Sequence, residues 1–265
     1  MNSTISYSRA IGIDPEAEIG RLKNEKDKII RDFINSHVLD VQGQHKNGTQ
    51  VRVYADSGRY EGNLNENGSK EGKGIYFYPN GDVYLGEWRN DIFNGEGIYI
   101  FSLGERFEGY LVDGKKTGRG KYLYLNGNVY DGEWSNNQKN GNGKYYFKSK
   151  DETYSGNFIN GERSGQGSYF YRYGDKFIGG WEKGIRRGRG IMEYASGARY
   201  DGLWENDLPN GKGVMYFPGG DRYDGEWMNG KKEGFGVYYF RDGGRYEGAW
   251  TNDEKSGQGI LYFVN

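Results

Sequence analysis

Repeated glycine pairs and scattered titratable side chains are the residues of this sequence that could do chemistry. A Gly-x-Gly pair recurs along the chain, for example at Gly95 with Gly97 and at Gly188 with Gly190. Dinucleotide-binding loops need a third glycine three residues later and a turn from a strand into a helix. In this sequence the third glycine is absent and aromatic residues at alternate positions follow. The pairs therefore do not predict a nucleotide site.

The titratable residues do not form a catalytic or metal-binding pattern either. His37 and His45 are the only histidines, and neither has a second ligand at the spacing of a zinc site. The chain contains no cysteine. Acidic residues such as Glu87, Asp131 and Asp224 recur with a fixed period, which is typical of a solvated face and not of an acid–base pair. The sequence predicts no enzyme, no catalytic residue, no metal and no cofactor.

Charge and hydropathy limit the classes of partner. The chain has 36 basic and 37 acidic residues, so it lacks the net basic surface on which non-specific nucleic-acid binding depends. It has neither an apolar run long enough to span a membrane nor a secretory signal at its N-terminus. We expect a cytoplasmic or cytoskeletal protein that is neither secreted nor transmembrane and does not bind nucleic acid.

The glycine pairs belong to a repeat of 23 or 24 residues that also orders the aromatic residues. Each repeat opens with a Tyr/Phe-x-Gly triplet, and a large side chain follows two residues after the triplet. All six tryptophans of the chain occupy that second position. The triplets begin at Tyr60, Tyr84, Phe107, Tyr130, Tyr154, Phe177, Tyr200, Tyr223 and Tyr246.

Both halves of each repeat alternate with a period of two, which predicts two β-strands and a polar turn between them. Glycine is poor in strands unless another group approaches the bare backbone closely, so we expect aromatic rings to lie on these glycines. One hairpin cannot bury its rings, whereas a stack of hairpins can. The predicted fold is all-β: an elongated, single-layer antiparallel sheet of about nine stacked hairpins, a solenoid-like twisted ribbon about 85 Å long at about 4.8 Å per strand.

The pattern over residues 60–265 resembles the MORN (membrane occupation and recognition nexus) repeat. This resemblance implies an elongated antiparallel sheet that serves as a scaffold. The first repeat, which carries an Asn-Glu-x-Gly insertion from Asn65 to Gly68, is also similar to the opening repeat of the MORN-containing radial spoke head subunit of motile cilia. The resemblance thus implies a structural subunit of a ciliary axoneme or of another cytoskeletal complex.

The N-terminal part of the chain has a different character. We expect a flexible segment over 1–13, an amphipathic helix over 14–38 that begins with Asp14 as N-cap, and a linker over 39–59 with a degenerate half repeat. Three roles are open for the helix: a cap on the sheet, a partner-docking or dimerising element, and a membrane-surface helix.

A second row of apolar residues is predicted on the opposite side of the second strands. Three interpretations are open: the N-terminal helix covers this row, the row is merely half-exposed, or it binds a protein partner or a second copy of the chain. The row is interrupted by Glu193, and its members are the candidate protein-binding residues Phe77, Ile100, Leu123, Tyr146, Phe170, Tyr216, Tyr239 and Tyr262.

Basic residues gather in and just after the predicted hairpin loops, where they could contact anionic lipid headgroups. They are Lys115, Lys116, Arg186, Arg187, Arg189, Lys231 and Lys232. The balanced charge and the lack of a lipid anchor count against this interpretation, because stable membrane attachment usually needs two signals. The leading hypothesis is a non-catalytic scaffold that binds proteins along the apolar row, and the alternative is a peripheral membrane adaptor.

Overall fold

The computed structural model describes residues 15–39, 44–46 and 48–264. One N-terminal helix, α1 (Pro15–Phe33), continues into a π-helical turn at Ile34–Val38. Nineteen strands form one antiparallel sheet in which strands pair with their neighbours in sequence. The predicted all-β class, antiparallel sheet and N-terminal helix are confirmed. The flexible segment predicted over 1–13 and the N-cap at Asp14 lie outside the described residues.

The strands alternate between shorter ones that begin a repeat and longer ones that end it. The first nine are β1 Thr49–Val53, β2 Arg59–Leu64, β3 Lys70–Phe77, β4 Val83–Arg89, β5 Ile92–Ile100, β6 Arg106–Val112, β7 Lys115–Leu123, β8 Val129–Ser135 and β9 Gln138–Phe147. The last ten are β10 Glu152–Ile159, β11 Glu162–Phe170, β12 Lys176–Glu182, β13 Ile185–Glu193, β14 Arg199–Glu205, β15 Leu208–Tyr216, β16 Arg222–Met228, β17 Lys231–Tyr239, β18 Arg245–Thr251 and β19 Glu254–Tyr262.

The described chain divides into two compact units. The first contains α1 and the residues up to Gly141, together with 145–149, and the second contains 142–144 and the residues from Lys150 onward. In the first, the half repeat predicted between Thr49 and Arg59 forms strand β1, which pairs with β2 from Thr49 opposite Asn63 to Val53 opposite Arg59.

Most hairpins close with a two-residue turn in which both residues have positive φ. Asn90 and Asp91 have φ of 47° and 67°, and Asn229 and Gly230 have 49° and 82°. This geometry matches the twist of paired strands and favours Asn, Asp and Gly. The turns are shorter than the sequence suggested, so the strand after each turn starts earlier than predicted.

Each repeat-opening ring lies flat on a pair of glycines. Gly86 on β4 faces Gly97 on β5, and Tyr84 covers both. A Cβ atom placed on Gly97 would lie 2.4–2.7 Å from the hydroxyl and ring atoms of Tyr84, closer than real side chains approach. The Tyr84 hydroxyl donates a hydrogen bond to the carbonyl oxygen of Glu87 at 2.9 Å. The glycines are therefore required by ring contact, as the sequence predicted.

Six of the nine hairpins are joined by a tryptophan to the hairpin before them. The indole Nε1 of Trp88 donates to the carbonyl oxygen of Gly74 at 3.1 Å, and its ring meets Tyr60 edge-on at 5.6 Å between centroids. The same indole-to-carbonyl bond is made by all six tryptophans. The other five pairs are Trp134 with Gly120, Trp181 with Gly167, Trp204 with Gly190, Trp227 with Gly213, and Trp250 with Gly236.

A carboxylate at the start of several repeats holds the turn of the next. Asp82 accepts hydrogen bonds from the Tyr99 hydroxyl at 2.9 Å and from the backbone N–H of Ser102 at 2.8 Å. In the second unit Asp221 accepts the corresponding bonds from Tyr238 and Arg241, which lower the pKa of Asp221. These bonds fix the spacing of successive hairpins.

Helix α1 packs on the face of the first unit that is opposite the tryptophans. Val38, Ile75, Val83, Leu85 and Ile100 form a buried cluster there. The helix residues packed against this cluster are Ile29, Ile30, Phe33 and Ile34. Among the three roles that the sequence left open, packing on the sheet is the one the helix fulfils in this unit.

The ring-on-glycine contact predicts a large difference between two glycines of the second unit. Gly213→Ala will lower the free energy of unfolding by about 1–3 kcal/mol, because the new Cβ overlaps the Tyr200 ring. Gly219→Ala is the control, since no atom lies within 4 Å of its Cβ position, and it will change stability by less than about 0.5 kcal/mol. Urea unfolding followed by tryptophan fluorescence measures both, and equal losses would contradict the packing.

Candidate protein-binding surface

The sheet has two faces with different chemistry. The front face carries the glycine pairs, the repeat-opening rings and the tryptophans, and the back face carries the predicted apolar row. On the front face Tyr84, Tyr130, Tyr200 and Tyr223 have no exposed surface. The front-face rings thus mostly contact other residues of the sheet. Side chains that could bind a partner must therefore lie elsewhere.

A row of cations covers the front-face rings. The Lys116 Nζ lies 4.8 Å from the centroid of the Trp134 ring, and the Arg186 Cζ lies 4.6 Å from that of Trp204. Cation–π contacts of this kind contribute about 0.5–2 kcal/mol each. The row consists of Lys70, Lys116, Lys139, Arg163, Arg186, Lys232 and Lys255.

This row of cations was not predicted from the sequence, although the sequence contains the signal. The residue two positions before each Gly-x-Gly pair is basic in every repeat except two, where Phe93 and Pro209 stand. Because strand residues two apart share a face, this position lies on the same side as the glycine pair. The repeat therefore contains a cation slot as well as its aromatic and glycine slots.

The cation row changes the prediction of a lipid-binding loop cluster. Lys116, Arg186 and Lys232 all lie over aromatic rings on the front face. Burial lowers the pKa of Lys116 and of Lys232, which is the direction expected for a desolvated ammonium group. All seven predicted cations lie in strands β7, β13 and β17 and not in loops, because the turns contain only two residues. They lie just after the turns, as predicted, and none of them lies in a turn itself.

The remaining cations of that set point to the other face, because adjacent strand residues alternate. Arg187 pairs with Glu182 at 2.6 Å, and Arg189 pairs with Asp201 at 3.2 Å. Lys231 donates to the side chain of Asn252 at 3.3 Å, and Lys115 is exposed. The seven cations are therefore divided between two faces, and several have protein partners.

On the back face of the first unit, α1 covers part of the predicted row. Ile100 is 1% exposed in the cluster beneath the helix, and Phe77 packs beside it. Leu123 and Tyr146 are half-buried. An open groove of about 580 Å³ runs beside the helix and includes Phe33, Ile98 and Tyr110 in its wall. Phe77 and Ile100 thus serve an internal contact, which takes them out of the set available to a partner.

On the back face of the second unit, no described helix covers the row. Phe170, Tyr216 and Tyr262 are 44%, 40% and 37% exposed, respectively. Tyr239 is half-buried beneath Arg222, whose Cζ lies 4.1 Å from its ring centroid. This unit therefore presents aromatic rings at the surface, in contrast to its front face.

The exposed rings do not form a continuous apolar stripe. The first strands place a basic residue directly opposite each tyrosine: Arg199 opposite Tyr216, Arg222 opposite Tyr239, and Arg245 opposite Tyr262. Their neighbours on the same face are Val214, Val237 and Ile260 on the second strands, and Asp201, Asp224 and Glu247 on the first. The predicted stripe is in fact a series of apolar ridges on the second strands of the repeats. The first strands, which lie between these ridges, each carry an arginine and a carboxylate on the same face.

One arginine of this series lacks the partner that its equivalents have. Arg199 pairs with Asp201 at 2.8 Å, and Arg245 pairs with Glu247 at 2.5 Å. The Nε of Arg222 is buried and donates no hydrogen bond within the described part of the chain. A buried donor without an acceptor costs free energy, which an incoming acceptor would recover.

Comparison with known proteins identifies the repeat. The MORN repeat matches residues 60–83, 84–104, 107–129, 130–152, 154–176, 177–199, 200–222, 223–245 and 246–265, which is well over half of the chain. The chain belongs to the MORN repeat family. The nine repeats predicted over 60–265 are confirmed, and a repeat of this kind fits a non-catalytic scaffold.

Other similarities are shorter or more distant. A probable serine/threonine-protein kinase of Dictyostelium discoideum is 39% identical over 70 residues, which are 25% of this chain and 4% of that protein. The TCP10 domain of Danio rerio CPAP covers 82% of this chain and 100% of its own, with 12% identity and a TM-score of 0.46. The Drosophila melanogaster SAS-4 TCP domain was solved in complex with a proline-rich motif of Ana2. Its match covers 82% of this chain and 90% of that domain's chain, with 12% identity and a TM-score of 0.29.

No helix among residues 15–39 and 48–264 is long and apolar enough to cross a membrane. Within the same part of the chain, no group of three or more His, Cys, Asp or Glu side chains could hold a metal ion.

Two adjacent lysines test the cation row. Lys232→Met removes the charge above Trp250 while keeping an apolar stem, and will destabilise the second unit by about 1 kcal/mol. Lys231→Met, on the opposite face, will change stability by less than about 0.5 kcal/mol. Chemical denaturation measures both variants, and a larger effect at Lys231 would contradict the assignment.

The buried tyrosines predict alkaline sensitivity. Burial raises the pKa of Tyr154 to about 12, above the value of about 10 in an unfolded chain. A neutral hydroxyl therefore stabilises the fold fully below about pH 10, and this contribution is lost as the pH rises towards 12. Phe107 occupies the equivalent slot in another repeat, so Tyr154→Phe keeps the packing. The loss of unfolding free energy between about pH 8 and about pH 11 will be smaller in Tyr154→Phe than in the wild type.

Proposed function

We propose that this protein is a non-catalytic scaffold that binds protein partners on the back face of its MORN sheet, as a subunit of a ciliary, radial-spoke-head-like or other cytoskeletal complex. The observation that carries the proposal is the contrast between the two faces of the second unit. Tyr200 and Tyr223 on the front face are fully buried, whereas Tyr216 and Tyr262 on the back face are 40% and 37% exposed.

The composition of the back face favours a protein over a lipid. Tyrosine and arginine are enriched among residues that dominate protein–protein binding energy, and here they alternate across the strands. Membrane-surface binding instead needs a basic face together with side chains that insert into the bilayer. The carboxylates of Asp224 and Glu247 lie on this same face, so it lacks the uniformly basic surface that anionic headgroups favour.

The proposed contact set is smaller than the sequence suggested. Helix α1 occupies Phe77 and Ile100, so the contacts proposed for a partner of the first unit are Leu123 and Tyr146. In the second unit the proposed contacts are Phe170, Tyr216, Tyr239 and Tyr262. Self-association through the same residues is an alternative, which sedimentation velocity of the wild type and of Tyr239→Ser separates.

The ciliary part of the proposal is supported by the first repeat. Its Asn-Glu-x-Gly insertion forms a closed turn in which the Asn65 N–H donates to Ser69 and the Gly68 N–H donates to Asn65. Arg52 of strand β1 donates to the Gly68 carbonyl at 2.6 Å. The insertion that resembles the radial spoke head subunit is thus an ordered element, and we propose the axoneme as the site of action.

Affinity purification of the tagged chain from its native cells, followed by mass spectrometry, tests the proposal. Wild-type protein will recover axonemal or other cytoskeletal subunits, and the double variant Tyr216→Ser, Tyr239→Ser will lose them. The control is Tyr173→Ser, which alters a tyrosine that is 82% exposed in a turn of the same unit. Circular dichroism establishes that all variants are folded.

Two results would overturn the proposal. Recovery of the same partners by the double variant would remove the back face from the contact. Recovery of membrane proteins, with binding to anionic vesicles that is lost in Arg187→Glu, Arg189→Glu, would instead make the chain a peripheral membrane adaptor.

A further inference from the structure

We infer that the back face of the second unit receives an amphipathic α-helix of a partner protein, with apolar residues seven positions apart and carboxylates between them. This inference rests on the proposed function and narrows it to one class of partner. It is carried by the way α1 binds the first unit, by the spacing of the ridges in the second unit, and by the unpaired nitrogen of Arg222.

The first unit shows how a helix binds this kind of sheet. Near the start of the contact Glu25 pairs with Arg106 on β6 at 3.7 Å, and near its end His37 lies 3.2 Å from the Lys73 amine on β3. Twelve helical residues rise about 18 Å, and three strand spacings measure about 14 Å. Helix α1 therefore crosses four strands obliquely, with its apolar side chains on the sheet.

The apolar ridges of the second unit are spaced for a helix that crosses the strands more nearly at right angles than α1 does. They lie on β15, β17 and β19, as Val214 with Tyr216, Val237 with Tyr239, and Ile260 with Tyr262. Alternate strands are about 9.6 Å apart, and seven helical residues rise about 10.5 Å. A helix across these strands would place residues i, i+7 and i+14 on successive ridges.

The strands between the ridges determine which side chains a partner helix needs between its apolar residues. Strands β16 and β18 present Arg222 with Asp224 and Arg245 with Glu247. Arg222 directly precedes a repeat-opening ring, as Arg106 does in the first unit. Since Glu25 of α1 reaches Nη1 of Arg106, a carboxylate at i+3 or i+4 of a partner helix would reach the guanidinium group of Arg222, whose Nε donates no hydrogen bond within the described residues.

Charge also explains why the occupant is not another copy of α1. In the first unit the helix rests on Val83 and Leu85, and the equivalent residues of β18 in the second unit are Arg245 and Glu247. The apolar stripe of α1 would bury this ion pair without compensation, which costs free energy. A partner helix whose carboxylates lie opposite the arginines avoids this cost of burying charges. The back face of the second unit therefore favours such a helix over α1.

The first experiment uses two synthetic helical peptides labelled with fluorescein. One has leucine at i, i+7 and i+14 with glutamate at i+3, i+4, i+10 and i+11, and the control peptide has the same composition in an order that breaks the stripe. Fluorescence anisotropy with the full chain will show saturable binding of the first peptide, and the control will bind at least about tenfold more weakly.

Protein variants locate the site. Tyr239→Ser will weaken binding of the first peptide by about tenfold or more, and Tyr173→Ser will leave it unchanged. Arg222→Gln will weaken binding by about tenfold, whereas it will have little effect on a peptide whose glutamates are replaced by glutamine. This double-mutant cycle identifies a direct contact between Arg222 and a carboxylate, which general destabilisation of the sheet would not reproduce.

The outcomes separate this inference from the proposed function. If neither peptide binds while purification from cells still gives partners that depend on Tyr239, the helix inference fails and the scaffold proposal stands. Equal binding of both peptides, or binding that ignores Arg222, also overturns the helix inference. A dimer in sedimentation velocity that Tyr239→Ser abolishes would assign the face to a second copy instead.

Discussion

The contact between an aromatic ring and two facing glycines is the constraint on which the rest of this structure depends. A ring such as Tyr84 can lie flat on the sheet only because Gly86 and Gly97 leave the backbone bare beneath it. Once the ring lies there, its neighbour Trp88 can reach the carbonyl oxygen of the preceding hairpin. Pairing between hairpins, burial of the rings and the cation row all follow from this one arrangement.

The same constraint assigns different tasks to the two faces. The front face of the sheet holds the hairpins together, because its rings, indole donors and cations satisfy one another. The back face is free to vary between the units. In the first unit it binds α1 through Val83 and Leu85, and in the second it presents rings between arginine–carboxylate strands. A sheet of one layer can thus be stable while one of its faces is used for recognition.

The sequence predicts the fold well because the repeat copies each local choice many times. The period of two, the glycine pairs and the single tryptophan slot predict strands, ring contacts and hairpin order, and the structure agrees at residues such as Tyr84 and Trp88. The surface is less predictable because it depends on cross-strand neighbours. From one strand alone, Tyr239 is predicted as part of an apolar row and Lys232 as a free loop cation. In the structure, strand pairing places Arg222 against the ring of Tyr239, and Lys232 lies over the ring of Trp250.

The bond from each indole to the hairpin before it has a consequence for how such a chain changes during evolution. A hairpin makes its ring contacts, its indole hydrogen bond and its hydrogen bonds between a carboxylate and a turn with its immediate neighbours. These neighbours are near-copies of the hairpin itself. A tandem duplication of 23 residues would therefore supply a complete set of partners at both new junctions, and a deletion of the same length would leave none unmatched. Repeat number can be gained or lost in one genetic step, while the back-face residues of each copy diverge independently.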